Sequence, residues 1–226
     1  MNVLVLAPHP DDEAIGCGGT VARHSAQGDR VTVVFLTSGE LALKHLPKEG
    51  AWEVREGEAE RAAEVLGITG LEFLRQPDWY LSEQVMRTAS LLRPILERVL
   101  PERIYLPHRG EWHPDHQACH PILRAALNDA RLPEPSLMGY EVWTPLSEYD
   151  LVKDITGTMA RKLQAVRCYR SQLGHFRYDR AVRGLNEYRG CLAGRCRYAE
   201  VFQPVCVETP ASIPSRAMAL TAGGPG

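Results

Sequence analysis

The sequence predicts an α/β fold: a Rossmann-like, mostly parallel sheet with helices on both faces and a functional site at the carboxyl ends of the strands. Three observations carry this reading. The short apolar runs NVLVLA at 2–7, RVTVVFLT at 30–37 and RIYLP at 103–107 are the unbroken kind that a parallel sheet buries on both faces. Segments of helical periodicity alternate with such runs through about residue 143, as right-handed βαβ crossovers require. Two of the runs end directly on histidine-rich loops, HPDDE after the first and HRGEWHPDH after 103–107. Ligands in open α/β sheets collect at those strand ends.

The elements follow in order. Pro8 ends the first strand, and a turn containing Gly16, Gly18 and Gly19 leads into a helix over Thr20 to Gly28. After the second strand, Val54, Ala62, Val65 and Leu66 recur among charges at helical spacing, predicting a helix from Trp52 to Leu66 that Gly67 stops. LEFL at 71–74 is a short strand. Val85, Leu91, Leu92, Ile95, Leu96 and Val99 mark a helix from Ser82 to Val99, with a kink or early break expected at Pro94. Residues 156–173 and 179–191 read as helices that support the sheet. One domain over 1–207 is expected, followed by a disordered tail at 208–226, where TPASIPSRAMALTAGGPG has no periodicity.

Composition narrows the function. The chain has 226 residues with 26 Lys+Arg against 28 Asp+Glu, a net charge of −2, so no basic excess exists to neutralise nucleic-acid phosphates or anionic lipid. The apolar start is broken by Pro8 and His9 and lacks a basic flank, which points to the cytoplasm. Six cysteines are scattered without CxxC pairs and read as reduced thiols. Histidine is the unusual component: four of the eight, His108, His113, His116 and His120, fall within thirteen residues, and His9 adjoins two carboxylates.

A catalytic divalent cation commonly takes three protein ligands and keeps a further position for water. His9, Asp11, Asp12 and Glu13 on one loop, with His113, Asp115 and His116 on another, supply such donors. Adjacent carboxylates point different ways, so one can bind metal while its neighbour acts as a base. Acidic residues opening a helix also offset the helix dipole, which is the plainer account of HPDDE. His116 and His120 have the i, i+4 spacing of a zincin, but Gln117 stands where that motif needs Glu. His120 therefore reads as a packing or capping residue and His108 as a loop residue. A dinucleotide site is disfavoured because GCGGT follows an acidic loop and no GxGxxG is present. No GxSxG elbow or Cys-His pairing supports nucleophilic catalysis.

APHPDDEAIGCGGT at 7–20, TSGE at 37–40 and HPDH at 113–116 resemble the GlcNAc-phosphatidylinositol de-N-acetylase family, also called PIG-L or LmbE-like. Lesser similarities at Arg55 and Glu58, Pro77-Asp78, YRSQ (169–172) and YAEVF (198–202) extend the resemblance over about residues 2–207. The resemblance implies zinc-dependent removal of acetate from an N-acetylglucosamine-type glycoside. It implies His9, Asp12 and His116 as zinc ligands, Asp11 as general base, His113 as oxyanion donor or acid, and Asp115 as the group orienting His113. It places Arg55 and Asp78 at the sugar hydroxyls and Glu40 in the pocket wall. Iron(II) also suits two histidines and a carboxylate with open positions. The implied partner is a small N-acetyl amino sugar, and relatives are often homo-oligomers. Alternatives are an amidase acting on a larger N-acyl conjugate or antibiotic intermediate, and a metal-dependent binding protein without turnover. The chain departs from many relatives at Trp79-Tyr80 and at Glu111-Trp112.

Overall fold

A computed structural model of the chain describes residues 1–205 except Asp129 and His175. The expected tail at 208–226 lies outside the described residues. Among these, seven strands form one sheet in the order β3-β2-β1-β4-β5-β7-β6. The strands are β1 (Asn2–Ala7), β2 (Arg30–Phe35), β3 (Gly70–Phe73), β4 (Arg103–Pro107), β5 (Ser136–Tyr140), β6 (Leu151–Asp154) and β7 (Ala199–Pro204). The first five pair in parallel, whereas β7 runs antiparallel to both β5 and β6.

Alternation along the buried strands divides the core in two. Val3, Val5 and Ala7 of β1 face one apolar layer with helices α1 (Asp12–Ala26), α2 (Lys48–Leu66) and α5 (Met159–Val166). Leu4 and Leu6 face the other, with α3 (Val85–Val99) and α4 (Pro114–Asn128). Because α1 and α4 leave neighbouring strands for opposite faces, a crevice opens between the carboxyl ends of β1 and β4, the usual ligand position in this architecture. The pairs Val3–Arg103, Leu4–Ile104 and Val5–Tyr105 hold those strands side by side.

Four expectations are corrected. Gly16, Gly18 and Gly19 do not make a turn; they lie inside α1, which begins at Asp12 and is kinked at Cys17 (φ −134°). Their purpose is close packing, since a Cβ on Gly16 would lie 2.2 Å from the Tyr140 ring and one on Gly19 2.8 Å from Ile155. Second, α2 begins at Lys48, directly after Pro47. Third, α3 runs through Pro94 without a break. Both Pro94 and Ser90, whose carbonyl loses its donor, face solvent, where water substitutes. Fourth, the 156–173 region is divided into α5 and the single turn α6 (Arg170–Leu173), followed by α7 (Tyr178–Arg189), and β6 and β7 were not anticipated.

The kink in α1 is held by a buried ion pair. Glu200 on β7 accepts hydrogen bonds from the amides of Gly19 and Thr20, both at 2.8 Å, and from Lys162 Nζ of α5 at 2.6 Å. One carboxylate thus caps the second half of the helix and joins it to sheet and neighbour. Cys17, Cys119, Cys168, Cys191 and Cys196 are free thiols. No helix among the described residues is long and apolar enough to cross a membrane.

Glu200→Ala would leave a buried ammonium and two amides without their acceptor. It is expected to destabilise the fold by about 3–5 kcal/mol, read as a lower midpoint of urea unfolding with an unchanged slope; a shift near zero would remove Glu200 from this role.

Candidate active site

The loop after β1 folds back on itself. His9 N–H donates to Asp12 Oδ2 at 2.9 Å, and the amides of Ala14 and Ile15 bond the carbonyl of Asp11. This closure leaves Asp11 at φ 126°, a conformation that costs a non-glycine residue about 1–3 kcal/mol. Glu13 secures it. Its Oε2 accepts from the Asp11 amide at 3.1 Å, and its Oε1 accepts from the Tyr169 hydroxyl at 2.5 Å. Burial pushes the Glu13 carboxyl up to about 8, against the pull of that hydroxyl.

The loop after β4 delivers the second set. Pro114 opens α4, a position where its missing N–H costs nothing, and Asp115 and His116 follow in the first turn, both buried. His9 Nδ1, Asp12 Oδ2 and His116 Nε2 converge from the two loops: 3.2 Å separates the first two and 3.4 Å the last two. His9, Asp12 and His116 place one donor atom each within 4.8 Å of one another.

These residues fit a divalent cation. Asp12 Oδ1 and both ring nitrogens of His116 are buried and make no hydrogen bond, an expensive arrangement unless something else satisfies them. Glu111 Oε2 approaches His116 Nδ1 at 3.5 Å, the place of the carboxylate that commonly orients a metal-binding imidazole. The charges agree. Burial pulls the His9 imidazolium down, but hydrogen bonds to Asp115, Asp12 and Asp78 outweigh it and hold its pKa well above the ordinary value. His116 is raised to about 9, with Asp12 overcoming burial. A cluster that retains protons so strongly is one in which a metal ion can take their place.

Asp11 stands apart from this set. Its carboxyl is raised to about 6 by burial, moderated by the guanidinium of Arg55. Arg55 is buried on α2, bonds the carbonyl of Pro10, and lies 3.4 Å from Asp11 Oδ2, with Nε and Nη1 left without partners. Gly39 (φ 61°) makes room for it, since a Cβ there would lie 3.2 Å from the guanidinium. His113 accepts a hydrogen bond on Nδ1 from the Asp115 amide at 3.2 Å. That contact assigns the neutral tautomer with its hydrogen on Nε2. Burial and the charges of His9 and His116 push the His113 pKa down to about 4.

The two loops, with Gly39, Arg55, Asp78 and Trp79, enclose a cavity of about 250 Å³. His9, Asp11, Asp12 and His113 line it, while His116 lies behind the wall, fully buried. The Asp115 carboxylate accepts from the amides of Trp79 (2.7 Å) and Leu81 (3.1 Å) and contacts His9 Nε2 (3.1 Å); it also lies within 4.8 Å of a ring nitrogen of His113, whose Nδ1 its own amide bonds. Asp78 is also engaged, by His9 Nε2 at 3.1 Å and the Leu41 amide at 3.0 Å. Glu40 stands behind the lining, against Trp52, Lys48 and the Asp78 amide, while its neighbours Gly39 and Leu41 face the cavity. His120 bonds the carbonyl of Pro107, a packing contact, and His108, read from the sequence as a plain loop residue, is buried and bonds that of Thr144.

Three contributors escaped the sequence reading. Glu111, fully buried, binds the amides of Val142, Trp143 and Thr144; a carboxylate on the same loop as a metal-binding histidine was its available signal. Trp143 and Tyr178 line the cavity from segments with no motif of their own.

Comparison with known proteins finds a family and several similar chains. Residues 4–127 match the PIG-L family, described as GlcNAc-PI de-N-acetylase. The chain is similar to "Probable N-acetyl-alpha-D-glucosaminyl L-malate deacetylase 2" of Bacillus cereus, with 32% identity over 76% of this chain and 83% of that protein. It is 32% identical to a 1D-myo-inositol 2-acetamido-2-deoxy-alpha-D-glucopyranoside deacetylase of Saccharomonospora viridis over 55% of this chain, and the match spans only 57% of that relative. The structure superposes on N,N'-diacetylchitobiose deacetylase from Pyrococcus horikoshii with a TM-score of 0.78 and 25% identity, covering 93% of this chain and 87% of that one. The chain belongs to the PIG-L family.

Proposed function

We propose that this chain is a metal-dependent hydrolase that removes acetate from the N-acetylamino group of a small GlcNAc-type glycoside. One observation carries the reading: adjacent carboxylates are divided, Asp12 among the cation donors and Asp11 beside them on the cavity wall with its carboxyl near 6. His9, Asp12 and His116 hold the cation. Zinc suits this mixed set of imidazole and carboxylate, with iron(II) as competitor. When bound, the cation supplies a Lewis acid that polarises an amide carbonyl and makes water a stronger acid.

The chain's own groups then act in order. Asp11 takes a proton from the attacking water, a task suited to a base whose pKa lies just below neutral. As oxygen adds to the acetamide carbon, the carbonyl oxygen becomes negative and His113 Nε2–H donates to it, a contact typically worth ~10²–10³ in rate. The proton on Asp11 passes to nitrogen as the C–N bond breaks, giving acetate and an amine. Arg55, which lines the cavity beside Asp11, is assigned to the sugar hydroxyls. Asp78 and Asp115 act by holding His9 and the 79–81 turn. The cavity of about 250 Å³ suits one acetamido sugar ring, and the relatives named as deacetylases of N-acetylglucosamine conjugates support the substrate class.

Asp11→Asn is expected to keep its cation and lose about 10²–10⁴ in turnover, whereas His116→Ala loses both; metal analysis showing Asp11→Asn cation-free would overturn the division of roles. Glu111→Gln should weaken cation affinity about 10–100-fold, measured by competition with a chelator. Zinc-supplied protein should release acetate from at least one of N-acetylglucosaminyl malate, N-acetylglucosaminyl inositol and diacetylchitobiose. Silence across that panel sinks the proposed activity.

A further inference from the structure

Two of the chain's four tryptophans, Trp79 and Trp143, line the cavity, and a third, Trp112, lies against Trp79 with the ring planes tilted by 53°. The fourth, Trp52, is engaged elsewhere between Lys48 and Arg75. Trp79 and Trp112 come from different loops, yet their ring centroids are 6.5 Å apart, and both adjoin the His113 ring, at 4.4 and 5.4 Å. Neither is packed away. Trp79 is 46% exposed and Trp112 58%.

Trp79 is also held in a conformation that its side chain opposes. Its φ is 71°, which a glycine would adopt without strain and a bulky residue rarely does. The buried Asp115 carboxylate fixes it there through the amides of Trp79 and Leu81. A large flat ring, fixed by its backbone beside His113 and left open to water, has the form of a binding surface.

We propose that Trp79 and Trp112 form an aromatic platform that stacks on a second pyranose ring joined to the N-acetylated sugar, so that disaccharide-like glycosides are selected over monosaccharides. The inference rests on the hydrolase reading above and names the part of the substrate outside the cavity. A pyranose ring suits the platform chemically. Its C–H face carries partial positive charge and complements the negative face of an indole, while its hydroxyls remain in water at the open mouth. An alkyl chain would need an enclosed channel instead.

The test compares N,N'-diacetylchitobiose with methyl N-acetylglucosaminide. In the wild type, kcat/KM for acetate release should favour the disaccharide by at least about tenfold, equivalent to about 1.4 kcal/mol. Trp112→Ala and Trp79→Gly should each reduce that ratio about tenfold, the second without loss of thermal stability because its backbone strain is relieved. Loss of rate on both substrates equally would show that the rings only pack His113, and an unchanged ratio would show that they do nothing; either overturns the proposal. Binding to the Asp11→Asn variant, followed by quenching of tryptophan emission, gives a readout without turnover. Tighter disaccharide binding without acetate release would sink the hydrolase and keep the platform, acetate release without a disaccharide preference would do the reverse, and no binding of either sugar would overturn both.

Discussion

Four buried carboxylates, Asp12, Asp78, Glu111 and Asp115, converge around His9 and His116, and balancing their charge is the constraint on which the site is built. A buried anion must be paired or hydrogen-bonded, or the fold loses several kcal/mol. Each carboxylate meets that demand with a backbone segment. Asp12 bonds the amide of His9, Asp78 that of Leu41, Asp115 those of Trp79 and Leu81, and Glu111 those of Val142, Trp143 and Thr144. The charges that draw a cation therefore also shape the loops around it. Their remaining lone pairs face the two imidazoles.

The sheet makes this convergence possible. Parallel pairing of β1 with β4 sets two loops, about a hundred residues apart in sequence, within one hydrogen bond of each other. Helices α1 and α4 depart on opposite faces, so the crevice stays open while their first turns present Asp12, Asp115 and His116. α1 could not serve as a straight helix with side chains along its length. Its glycines bring it against Tyr140 and Ile155, and its kink leaves amides that Glu200, itself paired with Lys162 of α5, accepts from the antiparallel end of the sheet. β7 thereby reaches the site indirectly, through the helix that carries Asp12.

Much of this was legible from residue order. Short apolar runs located four of the five parallel strands but not β5, and motifs at two strand ends pointed to the candidate cation donors and to Asp11. The antiparallel strands were not legible, because β6 (LVKD) is only partly buried and short, and β7 has no helix after it among the described residues. The glycines of α1 misled for a physical reason: a residue lacking a side chain signals a turn locally, but here its use is the approach of another element. For Asp115 the sequence held no sign that its carboxylate also binds the amides of Trp79 and Leu81, because that contact comes from a segment more than thirty residues away.

The sequence by itself determined which chemistry is available. Paired aspartates and spaced histidines specify proton transfer and cation binding wherever they are brought together, and alternating periodicities specify an α/β sheet with its site at the strand ends. Only the tertiary structure supplied a physical difference between the two aspartates that the family resemblance had separated. Asp11 and Asp12 are identical side chains, and their difference comes from burial beside Arg55 in one case and contact with His9 and His116 in the other. Likewise Glu111, Trp79 and Trp112 acquire meaning from their neighbours in space. Desolvation and long-range contact set those properties, and neither is written in the order of residues along the chain.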